Sequence, residues 1–400
     1  MPERSGRFRR IQGLAGKAGE RRKTGSAMNE RKSAILTIVF LSSVILIFTA
    51  ADLIQGDRLF SETENKLLAS RPKFTWEALF QGKYTEDYEK YLTDQFVGRE
   101  KWITIKTCTD ITLGRQEING VYLGKDNYLI ERHLPETYSL VQEIKKISLL
   151  ENLVQTWDAD VMLVPTADNI LTDKLPVNAP CYDQVSFLER VEQQVGAEHY
   201  VDVYTILRQH AEEEIYYRTD HHWTTLGAFY GYQAWAQARG GSEGKYDSAA
   251  METITEEFLG TLHSKVNLNL RPDAIRYFPE TVSRPLKVTY DLKTVRESCY
   301  EESYLETKNK YGFFLDDNHG IVEIETDYHN GKTLFVIKDS YANCFIPLLI
   351  PDYEKIYVMD LRYFNGRLFQ FMKSCEPEEG MDVLVLYNCI HFLDNFTYLE

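Results

Sequence analysis

The sequence predicts an α/β fold: a parallel sheet covered by helices on both faces, preceded by an N-terminal transmembrane helix. Three observations lead there. Short runs that are almost wholly apolar, Val161–Val164, Thr333–Ile337, Ile356–Met359 and Val383–Tyr387, read as strands buried on both faces. Stretches with apolar residues every three or four positions separate such runs, as helices of a βα alternation do. Ser33 to Ala51 carries no charge, enough for a span of roughly 20 residues.

Taken in order, residues 1–32 hold ten Lys/Arg against three acidic residues, a surplus of seven; since the chain carries −15, residues 33–400 carry −22. A basic tail before residues 33–53 places that tail in the cytoplasm and the body outside. An uncleaved signal anchor is the favoured reading, because the run exceeds the ~7–15 residues of a signal-peptide core. A signal peptide cut near Thr49-Ala50-Ala51 is the alternative, and Met28 is an alternative start. The acidic body argues against a nucleic-acid surface. Six cysteines without a C-x-x-C pair exclude a zinc ribbon or thioredoxin-like motif, and isolated buried thiols are expected.

Residues 54–115 read as a helical stalk, aromatic from Trp76 to Thr107. Residues 116–400 form the main domain. Asn119–Ile130 alternates apolar residues about Asp126-Asn127, as a hairpin does. Leu140, Ile144, Ile147, Leu150, Val154 and Trp157 mark one face of a helix. A second helix follows from about Asp183 to Val195, and Tyr200–Val203 reads as a short strand. A third helix, Leu226–Ala238, is ended by Gly240-Gly241. Residues 242–330 break the alternation and read as an inserted, mostly β segment.

In sheets of this kind ligands bind beyond the carboxyl ends of the strands. Ser340, Arg362 and Asn388 each follow a strand end and so share one edge. A serine hydroxyl needs a base, and the base needs a third group to fix its tautomer. Arg218–Thr225 holds one carboxylate and the chain's only adjacent histidines, Asp220-His221-His222. This stretch admits three readings: the acid and base of a triad, a metal site, or polar packing under a helix start. Metal catalysis is disfavoured, because adjacent residues seldom point at one ion and no second ligand cluster accompanies them. The backbone N–H of Ser340 and those after it are candidate oxyanion donors, and Arg362 and Asn388 are candidates to hold developing negative charge. Trp223 is a core aromatic or a wall on which a sugar stacks.

Thr219–Thr224 with Lys338–Asn343 downstream resembles the DHHW family of bacterial surface proteins, itself similar to the SGNH-like domains of the alginate O-acetylation proteins. The stretch from Glu64 to Ala69, then Asp94-Gln95-Phe96 with Arg99, and Asn127–Ile130 extend the resemblance over most of residues 60–400. Only 242–330 matches nothing. The resemblance implies an SGNH-hydrolase-like (flavodoxin-like) sheet with circularly permuted motif order, in which the Asp and His precede the Ser. It implies Asp220 as orienter, His222 as base and Ser340 as nucleophile, with His221 in a variable position; read as a residue, His221 is expected to support the site or bind substrate. Lys338 stands where the SGNH pattern has Gly.

These readings together predict a membrane-anchored extracytoplasmic serine O-acyltransferase that moves acetyl groups onto a cell-envelope polysaccharide. Its acyl donor would be a membrane-bound O-acyltransferase partner; no cofactor, metal or nucleic acid is expected. A carbohydrate acetyl-esterase using the same site, or a non-catalytic glycan-binding protein, are the alternatives. A separation of Ser340 from His222 beyond ~4 Å would favour the last.

Overall fold

The computed structural model describes residues 31–52, 54–61, 63–64, 66–240, 246–279, 286–378 and 380–399. The basic tail (but for Arg31 and Lys32), the alternative start at Met28 and Gly241 lie outside the described residues, as do 242–245 and 280–285 of the 242–330 segment. The chain divides into two compact units, one running to Ser61 and resuming over Lys66–Arg99, the other comprising Glu62–Asn65 and Glu100–Glu400.

In the first unit, α1 (Arg31–Asp52) is one helix long and apolar enough to cross a bilayer, with a mean hydropathy of 2.5. Strands β1 (Phe60–Ser61) and β2 (Lys66–Leu67) pair antiparallel. Helices α2 (Trp76–Phe80) and α3 (Lys83–Gln95) follow, α2 capped by the Thr75 hydroxyl. The end of α3 ties the extended stretch down. Buried Asp94 accepts from Lys66 Nζ at 2.8 Å and from the Ala69 N–H at 3.0 Å. The Gln95 amide bonds the backbone of Arg58 and Ala69.

The second unit opens with α4 (Arg99–Thr112) and a small antiparallel sheet, β3 (Glu117–Ile118), β4 (Val121–Leu123) and β5 (Leu129–Glu131). The turn between β4 and β5 puts Asp126 and Asn127 in the left-handed region, φ 56° and 63°, where short polar side chains are tolerated. Helix α5 (Leu140–Trp157) begins at a capping box of Ser139 and Gln142. After it come β6 (Asp160–Val164), α6 (Ala167–Ile170), α7 (Gln184–Val195), α8 (Val203–Gln209) and α9 (Thr225–Ala238). Tyr200 makes only an isolated bridge to Val161, and Val203 opens α8 because Asp202 caps it.

Strands β7 (Glu252–Phe258) and β8 (Asp273–Tyr277) pair around α10 (Thr261–Val266), and β9 (Leu286–Tyr290) and β10 (Thr294–Arg296) form a hairpin. The chain then runs through β11 (Ile321–Thr326), β12 (Thr333–Lys338), α11 (Ile346–Leu349), β13 (Lys355–Asp360), α12 (Leu368–Cys375), β14 (Asp382–Asn388) and α13 (Cys389–Asn395). The main sheet has the order β10-β9-β11-β13-β12-β14-β6. β13, β12, β14 and β6 run parallel; β11, β9 and β10 extend the edge antiparallel.

Period-two alternation divides the core. Leu334 and Val336 of β12 pack in one apolar cluster, Phe335 and Ile337 in the other, and β6 and β14 split likewise. The 242–330 segment is thus not set apart from the sheet. Val288, Tyr290, Val322 and Ile324 are buried, so β9 and β11 gain more by extending it than by forming a separate module. All six cysteines are free.

Candidate active site

β12 ends at Lys338, and the chain turns through Asp339 into a 3₁₀ turn, Ser340–Cys344. That turn carries the Ser340 hydroxyl above the sheet edge. The Asp220 loop meets it there, held by β5, whose Leu129 N–H bonds the Arg218 carbonyl at 2.8 Å. His222 Nε2 lies 2.8 Å from Ser340 Oγ, and His222 Nδ1 lies 2.6 Å from Asp220 Oδ1. A carboxylate only accepts, so the ring hydrogen belongs on Nδ1 and Nε2 is left to accept from the serine hydroxyl. Three side chains expected to cooperate across nearly 120 residues of chain form one continuous hydrogen-bonded line.

Asp220 is fixed from its other side. Its Oδ2 accepts from the Thr261 N–H at 2.7 Å and from the Thr261 hydroxyl at 2.9 Å, both at the start of α10. Gly260 allows this approach, since a Cβ there would stand 2.3 Å from Asp220 Oδ2. Burial alone would raise the Asp220 pKa; the two imidazoles and the Thr261 N–H outweigh it and hold the carboxyl far below its usual range. The His222 ring lies flat on Tyr311, centroids 3.9 Å apart at 14°. The Tyr311 hydroxyl donates to the Ser340 carbonyl at 3.1 Å.

His221 points elsewhere. Its Nδ1 meets the Thr261 hydroxyl at 2.8 Å, and its carbonyl accepts from the Tyr341 hydroxyl. Burial and the neighbouring His222 lower its pKa to about 4, so near neutral pH it is uncharged. Asp220, His221 and His222 do bring one potential ligand atom each within 4.8 Å of one another. The His222 and Asp220 atoms concerned are, however, already committed to Ser340, Thr261 and each other in the hydrogen bonds above.

 

The remaining strand-end residues support one another more than they face the serine. Asp339, fully buried, caps the turn by accepting from the Tyr341 N–H at 2.9 Å, which removes that N–H from the candidate oxyanion donors. The Ser340 N–H, first in its turn, keeps no intrahelical partner. The Asn388 side chain donates to Asp339 Oδ2 at 2.9 Å and accepts from the His391 N–H at 2.8 Å, and His391 Nδ1 reaches Asp339 Oδ2 at 2.9 Å. Arg362, expected to hold developing negative charge, is engaged in a two-pronged pair with Asp360, at 2.9 and 2.6 Å. Lys338, where a glycine was expected from the resemblance, is wholly buried and donates to Asn343 Oδ1 at 2.7 Å, with Asp360 at 3.5 Å. Trp223 presents no face to a ligand: it is fully buried, and its indole N–H donates to the Tyr341 carbonyl at 2.8 Å.

Thr261, Gly260 and Tyr311 escaped the sequence reading. All three come from the 242–330 segment, whose local pattern carries no sign that it reaches the Asp220 loop. The one available signal was indirect: a buried orienting carboxylate needs more donors than one imidazole supplies.

Residues 120–359 match the family described as DHHW protein. A DHHW family protein from Eubacterium siraeum is 26% identical, with a TM-score of 0.55 over 71% of this chain and 97% of the other. Bacillus cereus PatB1 is 20% identical, with a TM-score of 0.57 over 68% of this chain and 98% of its own. PatB1 with a sulfonyl adduct is 22% identical, with a TM-score of 0.57 over 70% and 100%. No curated protein matches.

Proposed function

We propose that this chain, which belongs to the DHHW family, is a membrane-anchored extracytoplasmic serine O-acyltransferase that acetylates a cell-envelope polysaccharide. The observation that carries the reading is the line from Asp220 through His222 to Ser340, with links of 2.6 and 2.8 Å. Ser340 Oγ attacks the acyl carbonyl while His222 Nε2 takes its proton. The bond to the donor's oxygen breaks and His222 returns the proton to that leaving group, so Ser340 is left as an ester. A sugar hydroxyl, deprotonated by His222, then attacks the ester; the Ser340 Oγ–acyl bond breaks, the acyl group leaves on the sugar, and His222 returns the proton to Ser340 Oγ. Asp220 holds the imidazole in the required tautomer and stabilises the imidazolium. The Ser340 N–H is the proposed oxyanion donor.

The order Asp220, His222, Ser340 supports a circularly permuted SGNH arrangement. Helix α1, apolar and preceded by a basic tail, supports anchoring with the body outside the cytoplasm. A single span cannot carry acyl groups across a bilayer, which supports a membrane-bound O-acyltransferase as donor partner.

The test is a chromogenic acetyl ester with and without added oligosaccharide. The expected result is a burst of released chromophore, one acetyl group on the peptide containing Ser340, and acetyl appearing on the sugar. A burst with release to water alone, unaffected by any oligosaccharide, would make the protein an esterase. No burst at all would remove the serine mechanism.

A further inference from the structure

Beside the triad lies a small pocket whose lining includes Asp220, His221, Asn388 and His391 together with Glu131 and His133. Glu131 and His133 have no part in the mechanism above. They come from the end of β5 and the residues just after it, on the same strand that holds the Asp220 loop.

His133 is buried, and its Nδ1 lies 3.1 Å from Asp168 Oδ2. Asp168 is itself held by the Thr166 hydroxyl at 2.6 Å and the Gln184 amide at 3.0 Å. Burial opposes charge on this ring, but the hydrogen bond to Asp168 and the nearby Glu131 carboxylate prevail and lift its pKa to about 9. The imidazolium therefore carries hydrogen on both nitrogens near neutral pH. Nδ1–H goes to Asp168, which leaves Nε2–H as the free donor, 3.8 Å from Glu131 Oε2. That is too long for a hydrogen bond. Glu131 Oε1 is taken by Lys265, so Oε2 is the carboxylate oxygen left for another donor.

A donor and an acceptor 3.8 Å apart fit one hydroxyl group. An oxygen about 2.8 Å from each closes the triangle, accepting from Nε2–H and donating to Oε2. Neither a bare carbonyl nor an ammonium meets both demands, because the first cannot donate and the second cannot accept.

We propose that Glu131 and His133 form a hydroxyl-binding subsite that seats a non-reacting hydroxyl of the acceptor sugar while a second hydroxyl of that acceptor attacks the Ser340 ester. The subsite rests on the acyltransferase reading and names its acceptor class: a sugar whose unmodified hydroxyl reaches a buried carboxylate. A uronate carboxylate in the same position has no hydrogen to donate to Glu131 Oε2, so a neutral hydroxyl is preferred there.

The experiment uses the full chain in detergent, a chromogenic acetyl ester as donor and chitotetraose as acceptor, with Glu131→Gln and Glu131→Asp as variants. The burst at Ser340 is expected to stay within twofold of the unaltered chain in both variants. The KM for chitotetraose is expected to rise at least tenfold with Glu131→Gln, and kcat to move less. Glu131→Asp, which keeps the charge but withdraws the oxygen, is expected to be impaired as well, whereas a purely electrostatic role would be rescued by it. No transfer to chitotetraose, or a KM that Glu131→Gln leaves within twofold, would overturn the subsite while a Ser340-dependent burst leaves the acyl-enzyme standing. A burst that falls together with transfer assigns Glu131 to the fold and also overturns it. Absence of the burst in the unaltered chain overturns both readings.

Discussion

Two charged clusters stand at the carboxyl ends of the neighbouring strands β12 and β13, and they are built in opposite ways. In the first, Lys338, Asp360 and Arg362 satisfy one another: Asp360 accepts two prongs from Arg362 and faces the Lys338 ammonium, and Asn318 and Asn343 take up remaining donors. In the second, Asp220 and His222 are satisfied in a line that ends on a hydroxyl, the Ser340 Oγ. A closed cluster can only hold the chain together, since each charge has its partner. A line ending at a nucleophile can pass a proton along itself. Lys338, Arg362 and Ser340 look alike in the sequence, as polar residues at the ends of apolar strands.

The largest effect should come from the open line. Ser340→Ala or His222→Ala is expected to lower acetyl transfer by about 10⁵- to 10⁶-fold, the loss typical of removing a triad nucleophile or base. Thermal unfolding should be little changed, because an alanine at Ser340 leaves the backbone of its turn in place. Burst amplitude and a melting curve on the same samples check both halves. Next is Asp220→Asn, expected to cost about 10⁴-fold in turnover through loss of the tautomer that points Nε2 at the serine. The measurement is turnover across pH. A drop of less than tenfold would mean that stacking on Tyr311 alone orients His222.

The closed cluster should respond in stability instead. Asp360→Ala strands the buried Lys338 ammonium and the Arg362 guanidinium, and breaking a buried pair this way costs about 3–5 kcal/mol. Denaturant unfolding is expected to show that loss. Ester turnover, corrected for the folded fraction, is expected to fall by much less than in Asp220→Asn. A large turnover defect in fully folded Asp360→Ala would erase the distinction between the clusters and return Arg362 to the site.

The contrast also marks where the sequence is readable. Ser340 follows an unmistakable buried strand, and Asp220 and His222 stand two positions apart on one loop, so the chemistry of each is local. The strands β6, β12, β13 and β14 were equally plain, because fully buried parallel strands are apolar throughout. Arg362 was harder to place: its position beyond a strand end is visible, but not that Asp360, two residues earlier, captures its guanidinium. Thr261 and Tyr311 were invisible, since each meets the site only through folding of a long segment with mixed polarity. Trp223 shows the same limit from the other side, because nothing in its neighbours says that Tyr341 lies over it. Local pattern reveals which residues can do chemistry; which of them already have partners is decided by contacts distant in sequence.

A smaller effect should separate two histidines of the pocket by pH. His133 has its pKa raised from 6.5 to about 9 on folding, so its contribution to stability is complete below 6.5 and is lost as pH rises through 9. His221 is displaced the other way, from 6.5 to about 4. There the unfolded chain takes up the proton first, and stability is lost as pH falls from 6.5 toward 4. Unfolding free energy measured from pH 6.5 to 9 should therefore decline in the unaltered chain and decline less steeply in His133→Gln. An unchanged slope would mean that His133 is not held as an imidazolium by Asp168 and Glu131. The acid side is less selective, because Glu131 and Asp220 also lose stabilisation there.

The smallest expected effect tests how the open line is supported. Tyr311 touches it twice, through its ring on His222 and through its hydroxyl on the Ser340 carbonyl. Tyr311→Phe keeps the ring and removes one neutral hydrogen bond, a change of about 1 kcal/mol and so roughly a fivefold loss of turnover at most. Tyr311→Leu removes the flat surface as well and leaves the imidazole free to rotate from its 2.8 Å approach to Ser340. If orientation by stacking matters, Leu should lower turnover well beyond Phe while the KM for the ester stays within twofold in both. Equal losses would assign the role to the hydroxyl. That outcome would make the Ser340 backbone, rather than the His222 ring, the part of the line that the 242–330 segment holds in place.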